Sequence, residues 1–210
     1  MSTHPDVPKF MTMGPVLPVM VIPSLDQAVP LAEALIKGGI KVLEITLRTD
    51  CALASIEAIA KAFPEAVVGA GTVLSPDDAK AAADHGARFA VSPGLTEKLA
   101  GQAALPLLPG VATASEVMRA LEWGFTHLKF FPAVPAGGVP ALKGIGGPLA
   151  AAKFCPTGGI DAKNAADFLA LPNVLCVGGS WVAPASAMNE GRWDEITRLA
   201  AEAVATFGKK

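Results

Sequence analysis

The chain has 210 residues, 51% of them hydrophobic and 17% charged, with a formal net charge of -2 at pH 7. That length and apolar content can bury a sizeable core without a second domain, and a charge balance with no run of Lys or Arg excludes an electrostatic footprint for nucleic acid. No apolar run approaches the ~20 residues of a membrane span, so small molecules are the expected partners.

The charged fraction lies below the roughly 25% usual for soluble domains, which predicts that sister subunits cover part of the surface. In chain order, the apolar stretch 10–22 is interrupted by Pro15 and Pro18 and followed closely by no A-x-A site. It reads as a first strand centred on 16–22 rather than as a leader. Ser24, with Gln27 three residues on, opens a helical stretch over 25–37 that Gly38-Gly39 ends. A strand over 42–47 and a helix over 52–63 follow. A strand over 67–73 then leads to Ser75-Pro76, which start a helix over 76–85 that Gly86 stops. Further strands are predicted over 89–92, 105–109, 128–131, 154–157 and 174–177, and further helices over 96–103, 114–123, 161–171 and 190–207. Residues 133–152, rich in Gly and Pro, read as a longer connection with at most a short helix over 140–145. Alternating strand and helix demands parallel pairing with right-handed crossovers. Eight such units, one about every 26 residues, predict an α/β fold, a single-domain (β/α)8 TIM barrel over residues 1–210, in preference to an open doubly wound sheet.

In such a barrel the C-terminal ends of the strands face the active site. The period of two along Val42 to Arg48 separates Leu43, Ile45 and Leu47 from Val42, Glu44, Thr46 and Arg48. The apolar set is expected to face the helices, leaving Glu44 and Arg48 inside, where unneeded charges are costly. Glu44 suits proton transfer and Arg48 the recognition of an anionic group, although a buried ion pair with a purely structural role has the same pattern. Lys129 stands alone among apolar neighbours in His127-Leu128-Lys129-Phe130-Phe131-Pro132, on the same face as His127 and Phe131. Desolvation disfavours an ammonium, so a lysine buried there is suited to attack a carbonyl carbon, and a Schiff base is the first chemistry it suggests. A lysine that ends a strand and snorkels to water along its methylene stem is the alternative.

Glycine-rich turns are expected after three strands, at Gly69-Ala70-Gly71-Thr72, Thr157-Gly158-Gly159-Ile160 and Val177-Gly178-Gly179-Ser180. The last two fall on neighbouring strands, where barrels often place a phosphate among backbone amides. Ser92-Pro93-Gly94 is expected to shape the rim. His4 precedes the first element, His85 ends a helix and His127 lies near the start of its strand, so no histidine cluster offers a catalytic zinc site and no metal is expected. No G-x-S-x-G elbow is present either. Cys51, Cys155 and Cys176 form no C-x-x-C pair and read as reduced, buried small residues, which points to the cytoplasm.

With these residues in view, the chain resembles the 2-dehydro-3-deoxy-6-phosphogluconate (KDPG) aldolases, grouped with the 4-hydroxy-2-oxoglutarate (KHG) aldolases. The likeness runs nearly end to end. It rests on Val42-Leu43-Glu44-Ile45-Thr46-Leu47-Arg48-Thr49, Gly69-Ala70-Gly71-Thr72-Val73, Ser92-Pro93-Gly94, Lys129-Phe130-Phe131-Pro132-Ala133, Phe154-Cys155-Pro156-Thr157-Gly158-Gly159-Ile160 and Val177-Gly178-Gly179-Ser180-Trp181. The resemblance implies a cofactor-free class I aldolase, typically a homotrimer, acting on a phosphorylated 2-keto acid. Lys129 would form the Schiff base and Glu44 would be the general acid and base. Arg48 and Thr72 would hold the pyruvate carboxylate, and Phe131 would pack by the imine. Pro93 and Thr157 would join the substrate contacts, while Gly158, Gly159, Gly179 and Ser180 match phosphate-binding turns. Val134 stands where some relatives carry an acidic residue. A phosphate-binding isomerase or epimerase using Glu44 as a base without a covalent lysine is the rival reading on the same barrel.

Overall fold

Short apolar segments rich in Val, Leu and Ile form the strands of the computed structural model, which describes residues 7–208; His4 lies outside them. The strands are β1 (Val16–Met20), β2 (Val42–Thr46), β3 (Val67–Gly71), β4 (Phe89–Val91), β5 (Leu107–Leu108), β6 (Gly110–Val111), β7 (His127–Phe130), β8 (Lys153–Pro156) and β9 (Val177–Gly179). They form two parallel sheets, one of six strands in the order β5-β4-β3-β2-β1-β9 and one of three in the order β6-β7-β8. The expected strand over 105–109 is shortened to Leu107–Leu108, which pairs with β4, and a further strand not expected from the sequence, Gly110–Val111, follows and pairs with β7. Pro109, between them, has no N–H to give to a ladder, but its carbonyl still accepts from the Lys129 N–H at 2.8 Å. Isolated parallel bridges, Phe154 to Val174 and Thr157 to Gly178, link β8 with the approach to β9 and β9 itself.

Helices lie between all consecutive strands except β5 and β6, and every sheet pairing is parallel, as the alternation requires. The period of two sorts the buried side chains into separate clusters. Leu43, Ile45, Val68, Ala70, Leu128 and Phe130 pack with the helices. On the other strand faces, Leu17, Val42, Phe89, Val91, Leu108 and Cys155 pack with Phe10 and Met11. Burying each large side chain of this kind stabilises by roughly 1.5–3 kcal/mol.

Several boundaries differ from those expected. Residues 10 and 11 belong to a helix, Val7–Met11, not to the first strand; its Val7, Phe10 and Met11 are all buried. Packing against the second cluster outweighs the apolar continuity of 10–22. The connection after Pro132 holds a full helix, Gly138–Gly146, entered through Gly137 and Gly138 at φ 107° and 62°. The stretch 190–207 begins only at Trp193, because Gly191 at φ 65° separates Ala185–Asn189 from Trp193–Phe207. Ser75 forms a capping box with Asp78, whereas Ser24 makes no side-chain cap. Cys155 and Cys176 are buried thiols, and Cys51 is a half-buried one whose Sγ donates to the Ile22 carbonyl at 3.3 Å. Among the described residues no helix is long and apolar enough to cross a membrane.

Candidate active site

Strand β2 is buried along its whole length, and its third residue, Glu44, points away from the helix-packed cluster that holds Leu43 and Ile45. Lys129 is the third residue of β7, between Leu128 and Phe130 of that same outer cluster. The alternation therefore sends both charged side chains to one interior. Lys129 Nζ lies 3.6 Å from Glu44 Oε1, with the two side chains only 8% and 2% exposed. The pair is buried and close enough for proton exchange in one short displacement, and removing either partner would leave an uncompensated buried charge. Glu44 Oε2 is itself buried with no hydrogen-bond partner. Lys129 Nζ also sits 5.1 Å from the centroid of the Phe131 ring, which gives the amine one aromatic wall.

Neighbouring strands close in around this pair. Gly110 pairs in register with Lys129, and a Cβ on Gly110 would lie 2.1 Å from the Pro93 carbonyl oxygen, so Pro93 is held just across β6 from the amine. Lys129 pairs on its other side with Cys155. Two residues on, buried Thr157 donates from Oγ1 to the Cys155 carbonyl at 3.4 Å. Thr72, immediately after β3, has φ 58°, the one non-glycine residue with positive φ among those described. For a β-branched residue that backbone is strained, and such strain concentrates at functional sites. Arg48, expected to point inward, is exposed just beyond β2.

The three glycine-rich segments prove unlike one another. Gly158 and Gly159 form a real left-handed turn, at φ 104° and 77°. Gly179 lies in β9 and is buried, with room for the Trp181 ring where its side chain would be, and exposed Ser180 follows it. The bridge from Thr157 to Gly178 sets the Gly158-Gly159 turn beside the end of β9. By contrast, Gly69 and Gly71 are strand residues of β3 rather than a turn, so that segment is no phosphate loop. The expected strand over 67–73 already held both glycines, and it, rather than the turn also expected there, is what forms: they occupy alternate positions, on the face shared with Glu44.

His127 takes no part in the buried pair; its Nδ1 lies 3.0 Å from Thr126 Oγ1. Burial, and secondarily the charge of Lys153, hold its pKa below the ordinary histidine range. Among the described residues no group of three or more His, Cys, Asp or Glu side chains converges in the manner of a metal site. A cavity of about 340 Å³ opens instead near the strand starts, beside Val16, Leu17, Val42 and Phe207, and contains neither Lys129 nor Glu44.

A parallel α/β scaffold carrying a buried lysine–carboxylate pair inside its strands is an arrangement suited to covalent amine chemistry. A family model described as "Aldolase: KDPG and KHG aldolase" matches residues 7–199. The KHG/KDPG aldolase of Escherichia coli (strain K12) is 54% identical over 198 residues, 93% of each chain. The KDPG aldolase of Legionella pneumophila, solved with pyruvate captured at low pH as a covalent carbinolamine intermediate, has a TM-score of 0.91 at 48% identity, covering 93% of this chain and 96% of that one. The 2-keto-3-deoxy-6-phosphogluconate aldolase of Zymomonas mobilis ZM4, solved with 3-phosphoglycerate, gives 0.91 at 48% identity over 97% of both chains. The chain belongs to the KDPG and KHG aldolase family and is an aldolase, a carbon–carbon lyase.

Proposed function

We propose that the chain cleaves 2-dehydro-3-deoxy-6-phosphogluconate to pyruvate and glyceraldehyde 3-phosphate through a Schiff base on Lys129, and cleaves 4-hydroxy-2-oxoglutarate to pyruvate and glyoxylate at the same amine. The observation that carries this is the buried Lys129–Glu44 pair at 3.6 Å. The Lys129 amine adds to the C2 ketone, whose oxygen takes up a proton to give a carbinolamine. Glu44, as the acid, protonates that hydroxyl; water leaves and a protonated imine remains. Glu44, now a carboxylate, removes the C4 hydroxyl proton, the C3–C4 electrons flow into the imine, and the aldehyde departs. The enamine takes a proton at C3, and hydrolysis returns pyruvate and the amine. The protonated imine is the electron sink throughout, and one buried carboxylate serves as acid and base in turn.

The carbinolamine captured in the Legionella pneumophila relative supports the covalent step, and the 3-phosphoglycerate bound by the Zymomonas mobilis relative supports a phosphorylated substrate. In this reading Arg48 and Thr72 hold the carboxylate, with Pro93, Phe131 and Thr157 around the reacting carbons. Gly158, Gly159, Gly179 and Ser180 take the phosphate, for which the left-handed Gly158-Gly159 turn beside the end of β9 offers backbone amides. The strands are read as one closed (β/α)8 barrel spanning residues 1–210. The run 107–111 feeding both sheets and the bridges between β8 and β9 support that closure. The enzyme is read as a cytoplasmic homotrimer that needs no cofactor; its low charged fraction supports the assembly.

Incubation with pyruvate and sodium borohydride, followed by intact mass and peptide mapping, tests the scheme. The expected result is a reduced pyruvyl adduct on Lys129. Folded protein without an adduct in excess pyruvate would overturn it and favour non-covalent isomerase chemistry.

A further inference from the structure

The carboxylate of Glu44 is held in place with little help from hydrogen bonds. Its Oε2 has no partner, and Oε1 faces Lys129 Nζ at 3.6 Å. What fixes its position must therefore be the shape of the wall around it, and one piece of that wall is a missing side chain. A Cβ on Gly71 would lie 2.2 Å from Glu44 Oε1 and 2.8 Å from both Cδ and Cγ. Carbon and oxygen do not approach that closely without a bond, so a side chain at 71 would displace the carboxylate by about 1 Å, through the very oxygen that faces the amine.

The backbone at position 71 does not call for glycine. Gly71 is absent from the residues with positive φ, and it lies in regular parallel pairing, opposite Thr46, with its carbonyl accepting from the Leu47 N–H at 2.8 Å. Its neighbour Gly69, on the same face, leaves room for the Phe89 ring, an apolar packing role. Two glycines on one strand face thus serve different ends, one filled by an aromatic ring of the core and the other by the carboxylate.

We propose that Gly71 is a positioning residue for the Schiff-base chemistry: the space it leaves on the inner face of β3 sets where the Glu44 carboxylate rests relative to Lys129. This rests on the aldolase reading above. The test compares the wild type, Gly71→Ala, Glu44→Ala and the double variant, measuring the rate of borohydride trapping of pyruvate on Lys129 across pH, with melting curves for each. The expected result is a folded Gly71→Ala protein whose trapping slows on the order of 10²-fold, as about 1 Å of misplacement does, with an altered pH profile. In the Glu44→Ala background, where no carboxylate is left to strike, Gly71→Ala should change neither rate nor profile.

If Gly71→Ala alone fails to fold, recovery of folding in the double variant would equally place the collision at the carboxylate. Wild-type trapping rates in Gly71→Ala, the same loss in both backgrounds, or failure to fold in both, would overturn the proposal. A wild-type protein with no adduct on Lys129 would instead overturn the Schiff-base reading on which it stands.

Discussion

The starts and the ends of the strands are built from the same alternation but filled with opposite chemistry. Near the starts, the interior positions carry Leu17, Val42 and Phe89, sealed by Phe10 and Met11 of the first helix, with Phe10 stacked on Phe89 at 4.1 Å between ring centroids. One or two inward positions further along stand Glu44, Thr46, Gly71 and Lys129, and past the strands Thr72 and Thr157. The apolar layer supplies stability with no chemistry. It also forms the dry floor on which a buried ion pair keeps its strength, because little water reaches it to screen the charges. On the proposed function, stability and reactivity are thus separated along the strands, and substitutions at the two levels should fail in different ways.

Lys129→Ala should break the reactive level altogether, removing cleavage and borohydride trapping; near-normal turnover in a cleavage assay would sink the covalent scheme. Glu44→Gln keeps the shape of the side chain but cannot exchange protons, so cleavage is expected to fall by roughly 10²–10⁴-fold, with a lowered melting temperature because Lys129 loses its buried countercharge. Phe10→Ala sharpens the contrast from below. It should lose about 3–5 kcal/mol in denaturant unfolding yet leave trapping on Lys129 intact in the folded fraction, and a loss of trapping with full stability would show that the levels are not separate.

Gly158→Ala acts at the rim. A side chain at φ 104°, with its Cβ 3.2 Å from Pro132 Cα, should cost about 1–2 kcal/mol of stability. It should also raise KM for the phosphorylated substrate more than that for 4-hydroxy-2-oxoglutarate in steady-state assays.

The smallest effect belongs to His127. Its folded pKa lies below the ordinary histidine value, so between the two the unfolded chain binds more protons than the folded one. Stability should therefore rise with pH through that window and fall as the solution is acidified below about 6.5, the unperturbed histidine value. Melting temperatures of His127→Gln measured from pH 5 to 7 should show a flatter slope than wild type; an identical slope would assign the acid sensitivity to other groups.

Much of this was legible in the sequence wherever a local rule sufficed. Alternation alone put Leu43 and Ile45 outward and Glu44 inward, and the isolation of Lys129 among apolar neighbours marked it before any coordinates. Ser75-Pro76 announced a helix start. Local rules failed where long-range packing decided. Phe10 and Met11 read as strand until the interior cluster claimed them for a helix, and the short strand Gly110–Val111, which joins the second sheet beyond Pro109, was not expected at all. Gly69 and Gly71 read both as part of a strand over 67–73 and as a turn, because glycine density looks the same whether the backbone bends or a neighbour needs room.

The sequence by itself determined the alternating architecture, the faces of β2 and β7, the lysine and the carboxylate proposed to react, and the family. Each follows from the order of residues along a strand or from motifs within a few positions. Only the tertiary structure decided that Glu44 and Lys129, 85 positions apart by numbering, stand 3.6 Å from each other, and that Gly71 leaves the space in which Glu44 rests. Those distances are set by the register and curvature of paired strands and by the volumes packed between them, which no single stretch of chain contains.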